Sequence, residues 1–579
     1  MEEAHIFSYV HIKNDCKNEL QSIKMREEGN IFYKKKQLKE ALEKYNKCIF
    51  SAPHPKLQPE NMVTNEYNQL AMGYGNRSAV LYQLKEYERC ICDIDRSVNI
   101  GISKMTKYQL EERKVKCLIA IERYEEAQEL LKKCKLLLNT LQLEEKVKER
   151  YKNALYKLFQ QCTQGLKKGP IQNKKQKNRY EEIKCANPST SFSSDDLIFA
   201  YNNPRPPNLD DEPNPTIPAF SRALKLQYSP DQGRYVVATR DITPGEVIAV
   251  ETAYTSRIDP HEFSSPLSFC TFCLARCAAP IPCAECTNVV FCNEECRSKG
   301  WDKFHMKECP VYPNLLEFGR GMIDTYRSIA RYTIDEFKVF VSQFQKEEHK
   351  SPLEQLLNED QICDSDSYRG FYFLESNINA VSSRRLFDTS VLAFKLIHLL
   401  IHSNRFFVTN AGARYVPDEE DIVFIGSLFI RHILIGTNNC WNIDEVLVIS
   451  NQLDSVNDPV KVGEGTYIAL GTFNHSCNPS AMMFSYGNVL VCRATHFIPV
   501  ESQVFVSYTA PYFSEPDRAK RREKLSDGFA FLCKCDACVY NYKKAKIVHG
   551  YIPPSILRTK DKRISRNNSE KTASLKLEL

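Results

Sequence analysis

The hydrophobic rhythm of the chain changes several times along its length. From residue 20 to about 165, apolar positions recur at helical spacing, which predicts amphipathic helices. Three blocks within this stretch repeat one another. Gly29, Phe32, Ala41, Tyr45 and Pro53 mark the first, Asn76 to Ala79 with Tyr87 and Cys90 the second, and Arg113 to Leu118 with Tyr124 and Ala127 the third. Each block is a helix pair that buries its apolar face only against its neighbour. From 166 to about 220 the rhythm dissolves into Lys-, Ser-, Asp-, Asn- and Pro-rich sequence, which predicts a linker. Alternation and β-branched residues then predict strands across Ala223 to Tyr228 and Gln232 to Ile248, with Thr243, Pro244 and Gly245 as the turn between strands. Residues 310 to about 460 read mostly as helices, and Val504 to Tyr508 as a strand ending in a tyrosine.

The spacing of the first 165 residues is that of tetratricopeptide repeats, which present a concave surface to a partner's peptide. A length of 579 residues suggests two to four domains. The 42% hydrophobic content supports real cores. A net charge of +6 falls well short of a dedicated nucleic-acid binder. The first residues show no basic stretch leading into an apolar run, so no secretory signal is expected. The most apolar segment, Val391 to Ile401, is short and carries Lys395 and His398, so no membrane span is expected either.

Twenty-three cysteines without an export signal point to metal ligands and buried thiols, not disulfides. Cys270-x2-Cys273-x9-Cys283-x2-Cys286-x5-Cys292-x3-Cys296-x8-His305-x3-Cys309 supplies eight ligands, enough for two closed tetrahedral zinc sites. Cys277 falls outside the pattern. Further on, Cys533-x-Cys535-x2-Cys538 offers three ligands where tetrahedral zinc needs four. Cys477 is the natural fourth, because it sits beside the adjacent polar pair Asn474 and His475, just after the apolar run Tyr467 to Leu470. One zinc would then tie the segment after Tyr508 back onto the Asn-His turn and build a pocket. The expected total is about three zinc ions. Cys48, Cys90 and Cys117, in helical patterns, read as small core residues.

Asn474-His475-Ser476-Cys477-x-Pro479, a strand ending in Tyr508 and the three-cysteine tail resemble the core of a SET-domain protein methyltransferase. The eight-ligand module is similar to a MYND finger, and the two together resemble the SET-and-MYND family, in its branch with tetratricopeptide repeats in front. The fold class this implies is a multidomain α+β protein. It comprises a repeat array over 20–165, a linker over 166–220 and a split SET domain over 221–510. That domain contains the finger at 270–309 and a helical insert at 310–450; a post-SET zinc segment at 525–545 and a disordered tail at 555–579 follow. In the family the finger's ligand pairs interleave. That gives Cys270, Cys273, Cys292 and Cys296 one zinc and Cys283, Cys286, His305 and Cys309 the other. Most relatives also carry a large helical C-terminal domain beside the substrate cleft, and little follows Cys538 here. The repeats are expected to take that place.

The implied activity is transfer of a methyl group from S-adenosylmethionine to a lysine amine on a histone or another protein. Tyr508 is the expected catalytic residue, orienting the amine and stabilising the polarised methyl group. Gln232, Gly233, Arg234, Tyr372, Asn379, Asn439, Asn474, His475, Tyr508 and Phe531 are the expected cofactor contacts, with Phe529 near the lysine channel. Three departures from the family pattern stand out. Ser480 replaces an asparagine, Val500 to Gln503 replace Gly-Glu-Glu, and Phe529 stands where relatives often have a tyrosine. They leave room for a rival reading, a non-catalytic adaptor whose repeats and finger bind partners. Expected partners are a lysine-containing protein substrate, a peptide for the repeats and a proline-rich peptide for the finger. Direct nucleic-acid binding is not expected, because Arg297, Lys299 and Lys303 are balanced by Glu285, Glu294, Glu295 and Asp302. Lys167-Lys168 and Lys174 to Arg179 fit either a bipartite import signal or a solvated charge run. The expected localisation is nucleus and cytoplasm.

Overall fold

Three turns of the same form set the N-terminal architecture. In each, one residue takes the left-handed conformation: Lys36 at φ 60°, Lys85 at 60° and Glu122 at 62°. The next amide reaches back five residues, from Gln37 to the Phe32 carbonyl, Glu86 to Leu81 and Arg123 to Leu118. A left-handed residue with such a back-reaching amide closes a helix C-terminus. The chain therefore folds as helix pairs: α1 (Glu19–Lys34) with α2 (Leu38–Ser51), α3 (Gln69–Gln83) with α4 (Tyr87–Ile100), and α5 (Lys104–Ala120) with α6 (Tyr124–Thr140). A long helix, α7 (Glu145–Lys167), packs on the last pair. Asn18, Asn68 and Ser103 cap the entering helix of each pair. Gly29 permits the close approach of α1 and α2, since a Cβ there would lie 2.6 Å from the Tyr45 ring. Cys48, Cys90 and Cys117 are fully buried among these helices.

The computed structural model describes residues 17–54, 68–167, 205–259, 266–319, 321–347, 349–409, 412–445, 460–529 and 531–542. The basic cluster Lys174 to Arg179 and the tail at 555–579 lie outside them. The expected linker reaches less far than 220. The Asp210 amide bonds to the Val247 carbonyl, Phe220 bridges to Ala249, and Ile217 and Phe220 are buried. Apolar side chains two and five residues beyond Pro215 give this segment a core to join.

The β-rich part is built from small sheets. A hairpin pairs β1 (Leu224–Ser229) with β2 (Gly233–Ala238). Next come β3 (Val247–Thr252) and β4 (Thr255–Ile258), and then the finger, which holds β5 (Ile281–Pro282), β6 (Val290–Phe291) and α8 (Glu294–Gly300). A π-helical turn, Trp301–His305, carries the one histidine ligand. The insert follows, as α9 (Gly321–Ala330), α10 (Ile334–Lys346), α11 (Ser383–His402) and α12 (Glu419–Asn439). The sequence reads helical here to about 460, but Cys440–Glu445 is a strand, β7, pairing with β8 (Val460–Thr466), which also pairs with β4. Cross-strand partners, absent from any local signal, decide that conformation. β9 (Asn474–His475) is followed by the hairpin of β10 (Ala481–Tyr486) and β11 (Val489–Ala494), and β11 lies against β3. β12 (Phe505–Val506) runs parallel to β9, and α13 (Arg518–Phe529) leads to the last cysteines.

Sheets and insert share one hydrophobic core, in which Phe220, Tyr326, Phe337, Phe429, Tyr467 and Phe473 are among the buried side chains. A buried charge network pins it. Arg257 on β4 pairs with Asp259, Asp324 and Glu464, and Lys461 pairs with Asp259 and Glu464. Among the described residues, no helix is long and apolar enough to cross a membrane.

Candidate active site and metal centres

Three groups of four side chains converge, and in each the ligand atoms lie within 4.8 Å of one another. The first is Cys270, Cys273, Cys292 and Cys296, and the second is Cys283, Cys286, His305 and Cys309. Cys273 and Cys292 sulfurs are 3.7 Å apart, Cys283 and Cys309 3.8 Å, and Cys286 Sγ lies 3.6 Å from His305 Nε2. Tetrahedral zinc with Zn–S bonds near 2.3 Å requires S···S separations of about 3.8 Å. The donor set and spacing fit zinc. Both sites are closed, with four protein ligands each, so neither offers an open position for chemistry. Cys277 stands apart, its thiol 3.4 Å from the Ala275 carbonyl.

The histidine ligand is oriented from behind. His305 Nδ1 sits 3.0 Å from Glu308, whose carboxylate also takes two 2.9 Å bonds from Arg327. All three are buried. A carboxylate on the far ring nitrogen fixes which nitrogen faces the metal.

The third group is Cys477, Cys533, Cys535 and Cys538. Cys477 Sγ lies 3.9 Å from Cys533 and 3.5 Å from Cys538, and its amide donates to Cys535 Sγ at 3.3 Å. Arg521, fully buried, points Nη2 at Cys538 Sγ at 3.9 Å. Four thiolates around a divalent cation carry net negative charge, and the guanidinium offsets part of it.

This third group anchors a cavity of about 840 Å³. Gln232, Gly233, Arg234, Asn439, Asn474, His475, Tyr508 and Phe531 all line it. Tyr372 and Asn379 do not. Tyr372 turns into an aromatic cluster, its ring 5.0 Å from Phe344 and under the Arg431 guanidinium at 4.0 Å. Asn379 is exposed on a single helical turn. The same segment reaches the cavity through Leu374, Glu375 and Asn377 instead. Asn377 is left-handed at φ 51°, which reverses the chain there and swings Asn379 away. A register read from sequence does not see that reversal.

Hydrogen bonds show what holds the lining. Asn474 Nδ2 donates to the Gln232 carbonyl at 3.1 Å, tying the β1–β2 turn to the Asn-His motif. Gly233 is left-handed at φ 65°, with nothing within 4 Å of where a Cβ would stand. Arg234 Nη2 donates to the Phe373 carbonyl at 2.7 Å, while its buried Nη1 has no hydrogen-bond partner. Asn439 spends its amide hydrogens on the Glu375 and Ile435 carbonyls, both at 2.8 Å, and so fixes the Glu375 turn to α12.

Glu251 escaped the sequence reading. From β3 its buried carboxylate accepts from the Ile468, Ala469 and Leu470 amides at 3.0, 2.9 and 2.8 Å. Burial pushes its carboxyl up, and these amides pull it back. Its local signal was a polar residue at an inward position of an apolar strand.

Tyr508 stands at the centre. Its hydroxyl donates to the Phe473 carbonyl at 2.7 Å, and its amide donates to His475 Nδ1 at 3.0 Å. Burial holds the phenol above its usual range, so it stays neutral. Its ring meets Trp441 edge-on at 5.9 Å and Phe529 at 4.9 Å. A second cavity of about 960 Å³, lined by Trp441, Met482, Met483 and Phe484 among others, lies on the other side. Tyr508 and Phe529 line both cavities.

The departures at Ser480 and Glu501 have structural counterparts. Ser480 accepts from the Phe505 amide through Oγ at 3.0 Å and donates its own amide to the Phe505 carbonyl at 3.0 Å, so serine ties β12 in place. Glu501 takes a left-handed φ of 63°.

The repeats do not border this site. Among the described residues, neither cavity is lined by any residue from 17 to 167. They sit on the finger instead. Arg77 donates to the Pro280 carbonyl, Asn46 to the Ala278 carbonyl at 3.5 Å, and Arg96 pairs with Glu294. The expectation that they replace a C-terminal domain beside the cleft is thereby overturned.

Comparison with known proteins agrees with this layout. The MYND finger family profile matches residues 270–309. Protein-lysine N-methyltransferase SMYD4 of Mus musculus is 23% identical over 89% of this chain and 66% of its own length. The Homo sapiens SMYD4 is 24% identical, with the same two coverages. The chain thus spans about two thirds of the length of these curated relatives. A solved TPR2B domain of yeast Sti1, in complex with a pHsp70 peptide, matches 25% of the chain at 19% identity and a TM-score of 0.19.

Proposed function

From a chain that belongs with the SET and MYND proteins, close to SMYD4, we propose a protein-lysine N-methyltransferase that uses S-adenosylmethionine. One observation carries the reading: Tyr508 and Phe529 form a wall shared by two cavities. One cavity is for cofactor and the other for a protein segment, and the lysine amine meets the methyl group at that wall. The cofactor, when bound, supplies a methyl group on a positively charged sulfur.

The residues of the first cavity suit such a molecule. Arg234 Nη1 is a buried donor without a partner, suited to a carboxylate. Gly233 leaves its surroundings open, and Phe531 offers an aromatic face beside His475, 6.0 Å between ring centres. The chain's own contribution to the reaction is alignment and a neutral amine. Holding the reacting groups in line removes many kcal/mol from a bimolecular barrier. A free lysine amine has a pKa of about 10.4 and must lose its proton. Trp441, Phe529 and Tyr508 make an apolar channel that disfavours the charged ammonium form. The phenol hydrogen of Tyr508 is committed to Phe473, so the lone pairs of its oxygen are free to face the amine and the transferring group.

Histone or other protein lysines are the proposed substrates, with repeats and finger recruiting protein partners. A nuclear and cytoplasmic distribution rests on the basic clusters and is tested by imaging tagged protein with Lys174, Lys175, Lys177 and Arg179 neutralised. The test of activity is incubation with labelled S-adenosylmethionine and cell extract, beside a Tyr508→Phe control. Label on protein lysines that disappears in the control supports the enzyme. A folded wild-type protein with no measurable affinity for the cofactor makes it an adaptor.

A further inference from the structure

His475 lies between two parts of the site that have no other reason to communicate. Its Nδ1 accepts the Tyr508 amide hydrogen at 3.0 Å. An accepting Nδ1 leaves the hydrogen of the neutral ring on Nε2. That nitrogen faces Cys477 Sγ at 3.3 Å, and Cys477 belongs to the four-cysteine group. The imidazole is 9% exposed and is flanked by the Tyr508 and Phe531 rings, at 5.4 and 6.0 Å. Its backbone runs in β9, with Val506 opposite in β12, two residues before Tyr508. One buried ring therefore bonds a metal-ligand sulfur on one side and the tyrosine backbone on the other.

Resting on the methyltransferase reading, we propose that His475 is a positioning residue through which the four-cysteine metal site sets the pose of Tyr508. A zinc-bound thiolate is a sulfur acceptor without a proton of its own, so it takes the Nε2 hydrogen. Without metal, the sulfur becomes a thiol carrying its own hydrogen. The Nε2 hydrogen then lacks a strong acceptor in a buried place, which is costly. The ring reorients, the Tyr508 amide loses its acceptor, and the phenol loses its aim toward both cavities. The tail zinc is then a condition of catalysis without touching either reactant.

Two amide side chains separate the halves of the ring. Asparagine places an oxygen near the Nδ1 position and can accept from Tyr508, but does not reach Cys477. Glutamine places a nitrogen near the Nε2 position and can donate to Cys477, but leaves Tyr508 unpaired. At saturating zinc, His475→Asn is expected to keep kcat within about threefold of wild type and to lose the tail zinc to a chromophoric chelator about 10–100-fold faster. His475→Gln is expected to hold zinc like wild type while kcat falls about 10–100-fold at unchanged cofactor KM. Hydrogen exchange at the Tyr508 amide, read without turnover, should rise in His475→Gln with zinc bound and stay protected in zinc-loaded His475→Asn. Equal effects of the two variants on zinc release and on Tyr508 exchange would overturn the proposal, as would no effect of either. A wild-type protein that transfers no methyl group but shows the split in zinc release and exchange would defeat the methyltransferase reading and leave this coupling standing.

Discussion

Arg77, in the second repeat, donates to the Pro280 carbonyl of the finger at 2.9 Å while its other nitrogens grip Asp93. Both members of the Arg77–Asp93 pair are fully buried. A TPR array offers polar side chains to a peptide, and here one of those peptides is the finger's own Ala278 to Pro282 segment. Removing the arginine strands Asp93 in a dry site, which typically costs 3–5 kcal/mol. Arg77→Ala should therefore lower the thermal midpoint and expose the finger boundary to protease. An Asn46→Ala change, which removes only a long hydrogen bond, should cost about 1 kcal/mol or less. Equal midpoints for Arg77→Ala and wild type would mean that the pair does not hold the two modules together.

Tyr508→Phe keeps the ring stacked among Trp441, Phe529 and Phe531 and deletes only the hydroxyl. Turnover should fall roughly 10²–10³-fold, the usual cost of a lost catalytic dipole. Cofactor affinity, measured by calorimetry, should stay within a few-fold. Undiminished lysine methylation by this variant would remove Tyr508 from the chemistry.

Zinc content tests the third metal group separately. Cys477→Ala leaves three ligands in the tail, and a tetrahedral site short of one ligand binds weakly. Metal analysis after dialysis should drop from about three zinc ions to two. The finger groups, whose ligands do not include Cys477, should keep theirs. Unchanged zinc would show that the tail site does not need Cys477.

His432 supplies a pH signature in the core. It is fully buried on α12, with Nδ1 2.8 Å from Ser328 Oγ and Nε2 2.9 Å from the Tyr368 hydroxyl. Burial, aided by nearby Arg431, pushes its imidazole down from 6.5 to about 3. A depressed folded value means that the unfolded chain binds the extra proton first. Its contribution is thus fully present above pH 6.5 and is lost as pH falls from there toward 3, by about 1.4 kcal/mol per unit. Urea unfolding across this range should show that slope in wild type, and His432→Gln should lack it. Parallel stability curves for the two proteins would refute the assignment.

What the sequence alone determined was everything written in local spacing. Twelve metal ligands could be read because short intervals between cysteines survive folding unchanged, and each finger pair sits on one tight turn or helix. Helix pairs were legible from glycine and aromatic spacing, because each repeat folds mainly against its immediate neighbour. The Asn474–Tyr508 core was legible because its parts are compact motifs. Only the tertiary structure decided the rest. Glu251 and the amides it holds are more than 200 residues apart, and no local pattern couples them. The left-handed turn at Asn377 moved the cofactor lining from Tyr372 and Asn379 to Glu375 and Asn377, because one reversed residue redirects everything after it. The strand at Cys440–Glu445 exists because β8 is there to pair with it. The docking of the repeats on the finger, away from the cleft, depends on Arg77, Asn46 and Arg96 meeting carbonyls and a carboxylate some 200 residues away. Such a meeting is a matter of surface complementarity between folded modules, and it leaves no periodic trace in either segment.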